Sequence, residues 1–166
     1  MVAGMPSPNS SSAVWRPRVT VACVVQEGDR FLMVEEDVRG RRLLNQPAGH
    51  LEPRESLPEA ARRETLEETG WEVELQSFIG ARQYLSAEHD EQVVRFAFAA
   101  HPLRHHPERE LDAGILGTHW MDYAQIALHA ERMRSPLVLE SLEDWLAGAR
   151  WPLSLVDGAS TPHGGR

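Results

Sequence analysis

Along the chain, short apolar bursts give way to one stretch of helical spacing and then return. Arg18-Val-Thr-Val-Ala-Cys-Val-Val-Gln26 is rich in β-branched residues and predicts a strand. Glu27-Gly28-Asp29 is turn chemistry, and Arg30–Glu35 predicts the return strand of a hairpin. A second turn at Arg39–Arg42 precedes a short extended piece, Leu43–Ala48, and Gly49 opens a loop. Further on, Glu72–Leu85 and Glu91–Ala100 are strand candidates separated by the polar turn Ser86–Asp90. In the second of these, Val93, Arg95, Ala97 and Ala99 alternate with Val94, Phe96, Phe98 and Ala100. A long loop is expected over His101–Asp112, a short strand near Thr118–Met121, and helices over Tyr123–Ala130 and Pro136–Ala149. Leu137, Leu139, Leu142, Trp145 and Leu146 form the apolar stripe of the last helix. Mostly antiparallel strands with interspersed helices predict an α+β domain with helices on the faces of a mixed sheet.

The helix predicted over Ser56–Thr69 has clear ends. Ser56 with Glu59 forms a capping box, Pro58 falls in the first turn where its missing N–H costs little, and Gly70 is a C-terminal stop. Its inward positions at helical spacing are 57, 60, 61, 64, 67 and 68. The first three are Leu57, Ala60 and Ala61; the next three are Glu64, Glu67 and Glu68. Halfway along, the apolar stripe becomes a carboxylate patch on the same face. Like charges at this spacing repel by a few tenths of a kcal/mol per pair, roughly, and burial raises the cost. A hard divalent cation relieves it, and magnesium is usually held by one or two carboxylates together with substrate phosphates. A solvated Glu/Arg helix is the bland alternative for two adjacent glutamates.

Composition narrows the function classes. The chain has 166 residues, enough for one domain, with no apolar run long enough for a membrane helix. Residues 1–15 and 157–166 predict flexible ends flanking a domain over 16–156. Cys23 is the single cysteine, which excludes an intramolecular disulfide, and its place in an apolar run predicts a buried, inert thiol. With no secretory signal, this points to the cytoplasm. The formal charge of −8 argues against a general nucleic-acid surface. All 17 basic residues are arginines, so any basic clamp on a phosphate must be an arginine.

The pattern Gly49-x5-Glu55-x7-Arg63-Glu64-x2-Glu67-Glu68-x-Gly70 resembles the Nudix box. Seven specified residues at roughly 6–7% each give a chance match of about 10⁻⁸ per register. Two packing positions depart from the family's pattern, Thr65 where an aliphatic residue is usual and Trp71 at the final aliphatic position. Asn45–Glu52, Arg134–Glu140 and the opening Arg18–Val25 are similar to segments of the NudJ-type phosphatases, and the likeness runs over residues 16–156.

The resemblance implies a Nudix fold, an α/β/α sandwich around a mixed sheet with the box as a loop–helix–loop. It implies metal-dependent hydrolysis of phosphoanhydride bonds, with Mg2+ or Mn2+ as cofactor. NudJ-like substrates are nucleoside di- and triphosphates and thiamine or pyrimidine pyrophosphates, with release of phosphate. The alternatives are a pyrophosphatase for another diphosphate-linked nucleoside such as ADP-ribose, and a non-catalytic nucleotide-binding domain. The partners are small molecules, with no nucleic acid or membrane, and the chain is a monomer or homodimer. Carried over by position, Glu64 and Glu68 are metal ligands, Glu67 and the Gly49 carbonyl add to them, and Glu55 and Arg63 form a supporting charge pair. Glu64 is a candidate general base, and outside the box so are Glu91, Glu110 and Asp112. For the substrate, Arg39, Arg41 and Arg42 are candidates for clamping a phosphate, Asn45 and Gln46 for reading a base edge, and His50 for touching phosphate. Trp15, Tyr84 and Trp120 are candidates for stacking on a ring. His101, His105 and His106 share a Pro-rich stretch without a cysteine nearby and are read as a solvent-exposed loop rather than a zinc site.

Overall fold

One strand, β1 (Arg18–Glu27), joins the two halves of the sheet. Over Arg18–Val25 it runs parallel to β6 (Glu91–His105), and on its other edge Thr20–Ala22 pair antiparallel with β4 (Ala48–His50). Its last residues turn at Gly28 and Asp29 onto β2 (Arg30–Val38). β2 carries β3 (Arg41–Asn45) on one edge and β7 (Ile115–Asp122) on the other, and β5 (Trp71–Ser86) pairs with β6. The result is a mixed seven-stranded sheet in the order β3-β2-β1-β6-β5, with β4 and β7 off this path. The computed structural model describes residues 15–86 and 91–158, so most of both expected flexible ends and of the Ser86–Asp90 turn lies outside the described residues.

Side-chain alternation along β1 builds two cores, as a strand covered on both faces requires. Val21, Cys23 and Val25 point to one side, where Ala60 and Ala61 of α1 (Leu57–Thr69) meet Leu32, Leu75 and Phe98. Val24 points to the other, with Phe31, Met33, Ile126 of α2 (Tyr123–Leu128), and Val138, Leu142 and Trp145 of α3 (Leu137–Leu146). Each fully buried Leu, Val or Phe contributes roughly 1.5–3 kcal/mol to the fold. The helices thus form outer layers on a mixed sheet, as anticipated.

α1 begins and ends as its sequence requires. The Ser56 hydroxyl accepts from the Glu59 N–H at 3.3 Å and the Glu59 carboxylate accepts from the Ser56 N–H at 2.7 Å. Gly70 takes φ +70°, and a Cβ there would lie 2.9 Å from the His106 carbonyl oxygen, so glycine is demanded twice over. The buried arc of the helix is rotated from the expected one: Leu57 and Glu67 sit at its margin, while Thr65 and Thr69 are buried. Both threonines satisfy their hydroxyls on the carbonyls one turn back, Ala61 and Thr65.

Several boundaries differ from the sequence expectation. His101–His105 is strand, because β5 keeps pairing past a register shift that sets Pro102 opposite Val73, a bulge position where a missing N–H is tolerated. Gly49 lies within β4 rather than opening a loop, since it pairs with Val21. α2 stops at Leu128 and a single 3-10 turn, Ala130–Arg132, follows. α3 stops at Leu146, which is 52% exposed and so does not belong to the buried stripe.

Candidate active site

Arg63 is the centre from which the site is assembled. Its Nε and Nη2 donate in a fork to the two oxygens of Glu55 at 3.0 and 2.6 Å. Nη2 also donates to the His50 carbonyl at 3.0 Å, and Nη1 donates to Glu64 and Glu67 at 2.9 and 3.0 Å. One side chain therefore ties the loop before α1, the end of β4 and two turns of the helix together. The hydrogen bond from Arg63 holds the Glu55 carboxyl below its ordinary value, against the opposing effect of burial. Glu55 also accepts from the Glu52 N–H at 2.6 Å, which fixes the loop.

The other box glutamates lie inward. Glu68 is 8% exposed and accepts from the Ala48 N–H at 2.8 Å. Burial pushes its carboxyl up to about 9, with Glu36, Glu64 and Asp112 adding repulsion. Burial also raises Glu64, although Arg63 opposes it. Gly49 runs directly beneath Glu64, and a Cβ at Gly49 would lie 2.1 Å from its Cδ. From the stretch after β6, Asp112 approaches the helix and its backbone N–H donates to the Glu67 carbonyl at 3.1 Å. Carboxylate oxygens of Glu64, Glu67 and Asp112 all lie within 4.8 Å of one another. Crowded carboxylates, with Glu64 and Glu68 raised by burial and Glu64 and Glu67 held by Arg63, make a hard-oxygen donor set that fits a divalent cation such as magnesium.

Above this cluster is a cavity of about 500 Å³. Gly49, His50, Arg63, Glu64, Glu67, Glu68 and Asp112 are in its lining, together with Asn45, Tyr84, Glu91 and Arg95. Gln46 lies just behind, buried, its amide donating to the Val138 carbonyl at 3.0 Å. Glu91 sits at the rim against the Arg18 guanidinium. Glu110 is exposed and outside the cavity lining, and Glu55 stands behind Arg63. Arg39, Arg41 and Arg42 are exposed around the β2–β3 turn and do not line the cavity; Arg39 and Gly40 are both left-handed in that turn, at φ 54 and 80°.

Of the candidate stacking rings, only Tyr84 reaches the cavity. Trp120 packs edge-on against Trp71 at 5.8 Å, and Trp15 is 66% exposed away from it. The three histidines are engaged elsewhere: His101 with Glu74, His106 with Glu72, and His105 stacked on Trp71 at 4.6 Å. Arg18, Glu36, Arg95, Arg134, Ser135 and Leu137 line the cavity without having been singled out. For Arg95 a signal was present, an arginine in register with Ala97 and Ala99 on an apolar strand face. The others are brought together only by the tertiary fold.

A family model described as NUDIX domain matches residues 16–142. Phosphatase NudJ of Escherichia coli (strain K12) is 41% identical over 149 residues, covering 90% of this chain and 96% of that protein. A NUDIX hydrolase from Nitrosomonas europaea superposes with a TM-score of 0.85 at 39% identity, covering 87% of this chain and 98% of its own. The bifunctional NMN adenylyltransferase/ADP ribose pyrophosphatase from Francisella tularensis shares the fold at a TM-score of 0.69 and 19% identity, over 83% of this chain and 43% of that one.

Proposed function

Because the chain belongs to the Nudix family and is a hydrolase acting on phosphorus-containing acid anhydrides, we propose that it releases orthophosphate from nucleoside di- or triphosphates or from thiamine or pyrimidine pyrophosphates, using a divalent cation. The observation that carries this reading is the convergence of Glu64, Glu67 and Asp112 within 4.8 Å, with the buried Glu68, in the wall of a cavity of about 500 Å³. The 41% identity to a phosphatase over nearly the whole chain supports release of phosphate.

Glu64 and Glu68 would hold the cation, with Glu67 and the Gly49 carbonyl as further donors. When bound, the cation lowers the pKa of water and neutralises phosphate charge. The chain's own residues do the positioning. Arg63 and Glu55 lock the helix to the loop, so Glu64 and Glu67 are held at fixed places before substrate arrives. Among the candidate bases, Asp112 is the best placed: it is in the carboxylate cluster and, among the described residues, has no arginine partner. Its carboxylate takes the proton of the attacking water. Glu91 is engaged by Arg18 at the rim, and Glu110 stands outside the cavity. A cytoplasmic location, consistent with the single buried cysteine, belongs to the same proposal.

The test is phosphate release with magnesium across GDP, GTP, thiamine pyrophosphate, ADP-ribose and diadenosine polyphosphates, with EDTA and Glu68→Gln as controls. Orthophosphate from simple nucleotides or thiamine pyrophosphate is the expected result. Cleavage confined to ADP-ribose or dinucleotides would overturn the substrate class. Turnover in EDTA at the magnesium rate would overturn the metal assignment.

A further inference from the structure

The chain contains no lysine, so every permanently cationic side chain available to a substrate phosphate is an arginine. Four arginines line the cavity: Arg18, Arg63, Arg95 and Arg134. Three have carboxylate neighbours. Arg18 lies on Glu91, Arg63 on Glu55, Glu64 and Glu67, and Arg134 beside Glu36 at 3.8 Å. Arg95 has none in ion-pair contact among the described residues. Its Nη2 donates to Gln46 Oε1 at 2.7 Å, and both terminal nitrogens make long contacts of 3.3 and 3.4 Å to Asn45 Oδ1. Both acceptors are neutral amides, and Arg95 Nε has no partner.

An arginine 7% exposed without a paired carboxylate is destabilising for the fold alone. The next residues on its face of β6, Ala97 and Ala99, show what packing by itself asks for there. Burial pulls the Arg95 pKa down only to about 10, so the charge persists at neutral pH. The acids nearest in charge are committed otherwise: Glu36 accepts from Asn45 at 2.7 Å and Glu68 from the Ala48 N–H. The little surface Arg95 retains belongs to the cavity wall.

We propose that Arg95 binds an oxyanion of the substrate's terminal phosphoryl group, the group that leaves as orthophosphate, with Asn45 and Gln46 holding its guanidinium in place. The assignment rests on the phosphatase reading above. It gives the cavity a cationic group in the same wall as the box glutamates, Glu68 among its charged neighbours. Arg39, Arg41 and Arg42 do not line that cavity.

Inorganic phosphate is the probe. Its binding is followed by calorimetry in magnesium, and its inhibition of turnover in parallel, for wild type, Arg95→Lys and Arg95→Gln. Phosphate binding should weaken about tenfold in the lysine variant, which keeps the charge but loses the fork, and further in the glutamine variant. KM for a diphosphate substrate should rise more than kcat falls. If Arg95→Gln does not fold, the lysine variant carries the test. Unchanged phosphate binding and KM, with a lowered Tm, would overturn the assignment and leave Arg95 as a strut for Gln46. A changed preference among bases with phosphate binding unchanged would overturn it too. The wild-type product is read separately, so failure of the phosphatase reading would show as absent orthophosphate whatever the variants bind.

Discussion

A Cβ on Gly49 would fall 2.1 Å from Cδ of Glu64, so the β4 backbone and the α1 carboxylate adjoin with no room for a methyl group. The contact joins a strand to a helix that follows it in sequence, and it sets where Glu64 stands. Gly49→Ala should leave both cores intact and the Tm within a few degrees of wild type. Turnover should nevertheless drop about a hundredfold, because displacement of a positioned group by about an ångström costs that much. Steady-state kinetics beside a thermal melt checks it; wild-type kcat would mean that the position of Glu64 is immaterial.

Glu68 is buried with several carboxylates around it and one backbone N–H for support. In EDTA at neutral pH the buried Glu68, pushed up to about 9, takes up a proton on folding, and Glu68→Gln removes that cost while keeping shape, so the metal-free variant should melt about 2–4 °C above wild type for a gain of about 1 kcal/mol. Magnesium should reverse the order. At a hundredfold excess over its Kd a ligand adds about 2.7 kcal/mol to the wild type, and the variant should lose most of that together with more than about 99% of turnover. Melts with and without magnesium decide it, and equal stabilisation of both proteins would remove Glu68 from the ligand set.

The Glu55–Arg63 fork makes acid stability a readout of the loop. Arg63 holds the Glu55 carboxyl below its ordinary value, so the folded state favours the carboxylate more than the unfolded chain does. The contribution is therefore complete above the ordinary value of 4.5 and is lost as pH falls through the lower folded value. Glu55→Gln should cost about 1–3 kcal/mol at neutral pH, the range for unsatisfying a largely buried polar group. The gap to wild type should close below that window. Urea titrations from neutral pH to pH 3 measure it, and a gap that stayed constant would deny the pair its role.

Burial raises the Cys23 thiol to about 12, and its sulfur lies 3.4 Å from the Ala61 carbonyl oxygen beneath α1. Thiol-specific disulfide reagents should leave it untouched in the native protein and modify it at the rate of global unfolding. Rapid native labelling would show that α1 lifts from β1 on its own.

What was legible in the sequence is what local chemistry specifies. The Ser56–Glu59 box, Gly70, and the Gly28–Asp29 turn act within a few residues, and each stands where it was expected. The family and its fold were legible for a related reason, since the box packs its specified residues into a single loop and helix. The limits of β6 were not, because Pro102 and its neighbouring histidines carry loop character that only the partner strand overrides. Nor was the setting of Arg95, whose amide partners lie 49 and 50 positions away. The Arg39–Arg42 cluster, close to the box in sequence, lies around the turn of the β2–β3 hairpin and does not line the cavity.

That hairpin has a bearing on how the chain tolerates change. The turn at Arg39 and Gly40 lies between β2 and β3, outside the cavity wall, whereas Gly49 faces Val21 across one rung of the β1–β4 ladder. Extra residues at Arg39 and Gly40 lengthen a surface turn and leave that rung alone. A residue gained or lost between Asn45 and Gly49 slides β4 along β1 and sets Ala48 or His50 beneath Glu64, each bearing a Cβ where none fits. Within a dozen residues, then, one stretch is free to drift in length over evolutionary time, and its neighbour is pinned to a single count.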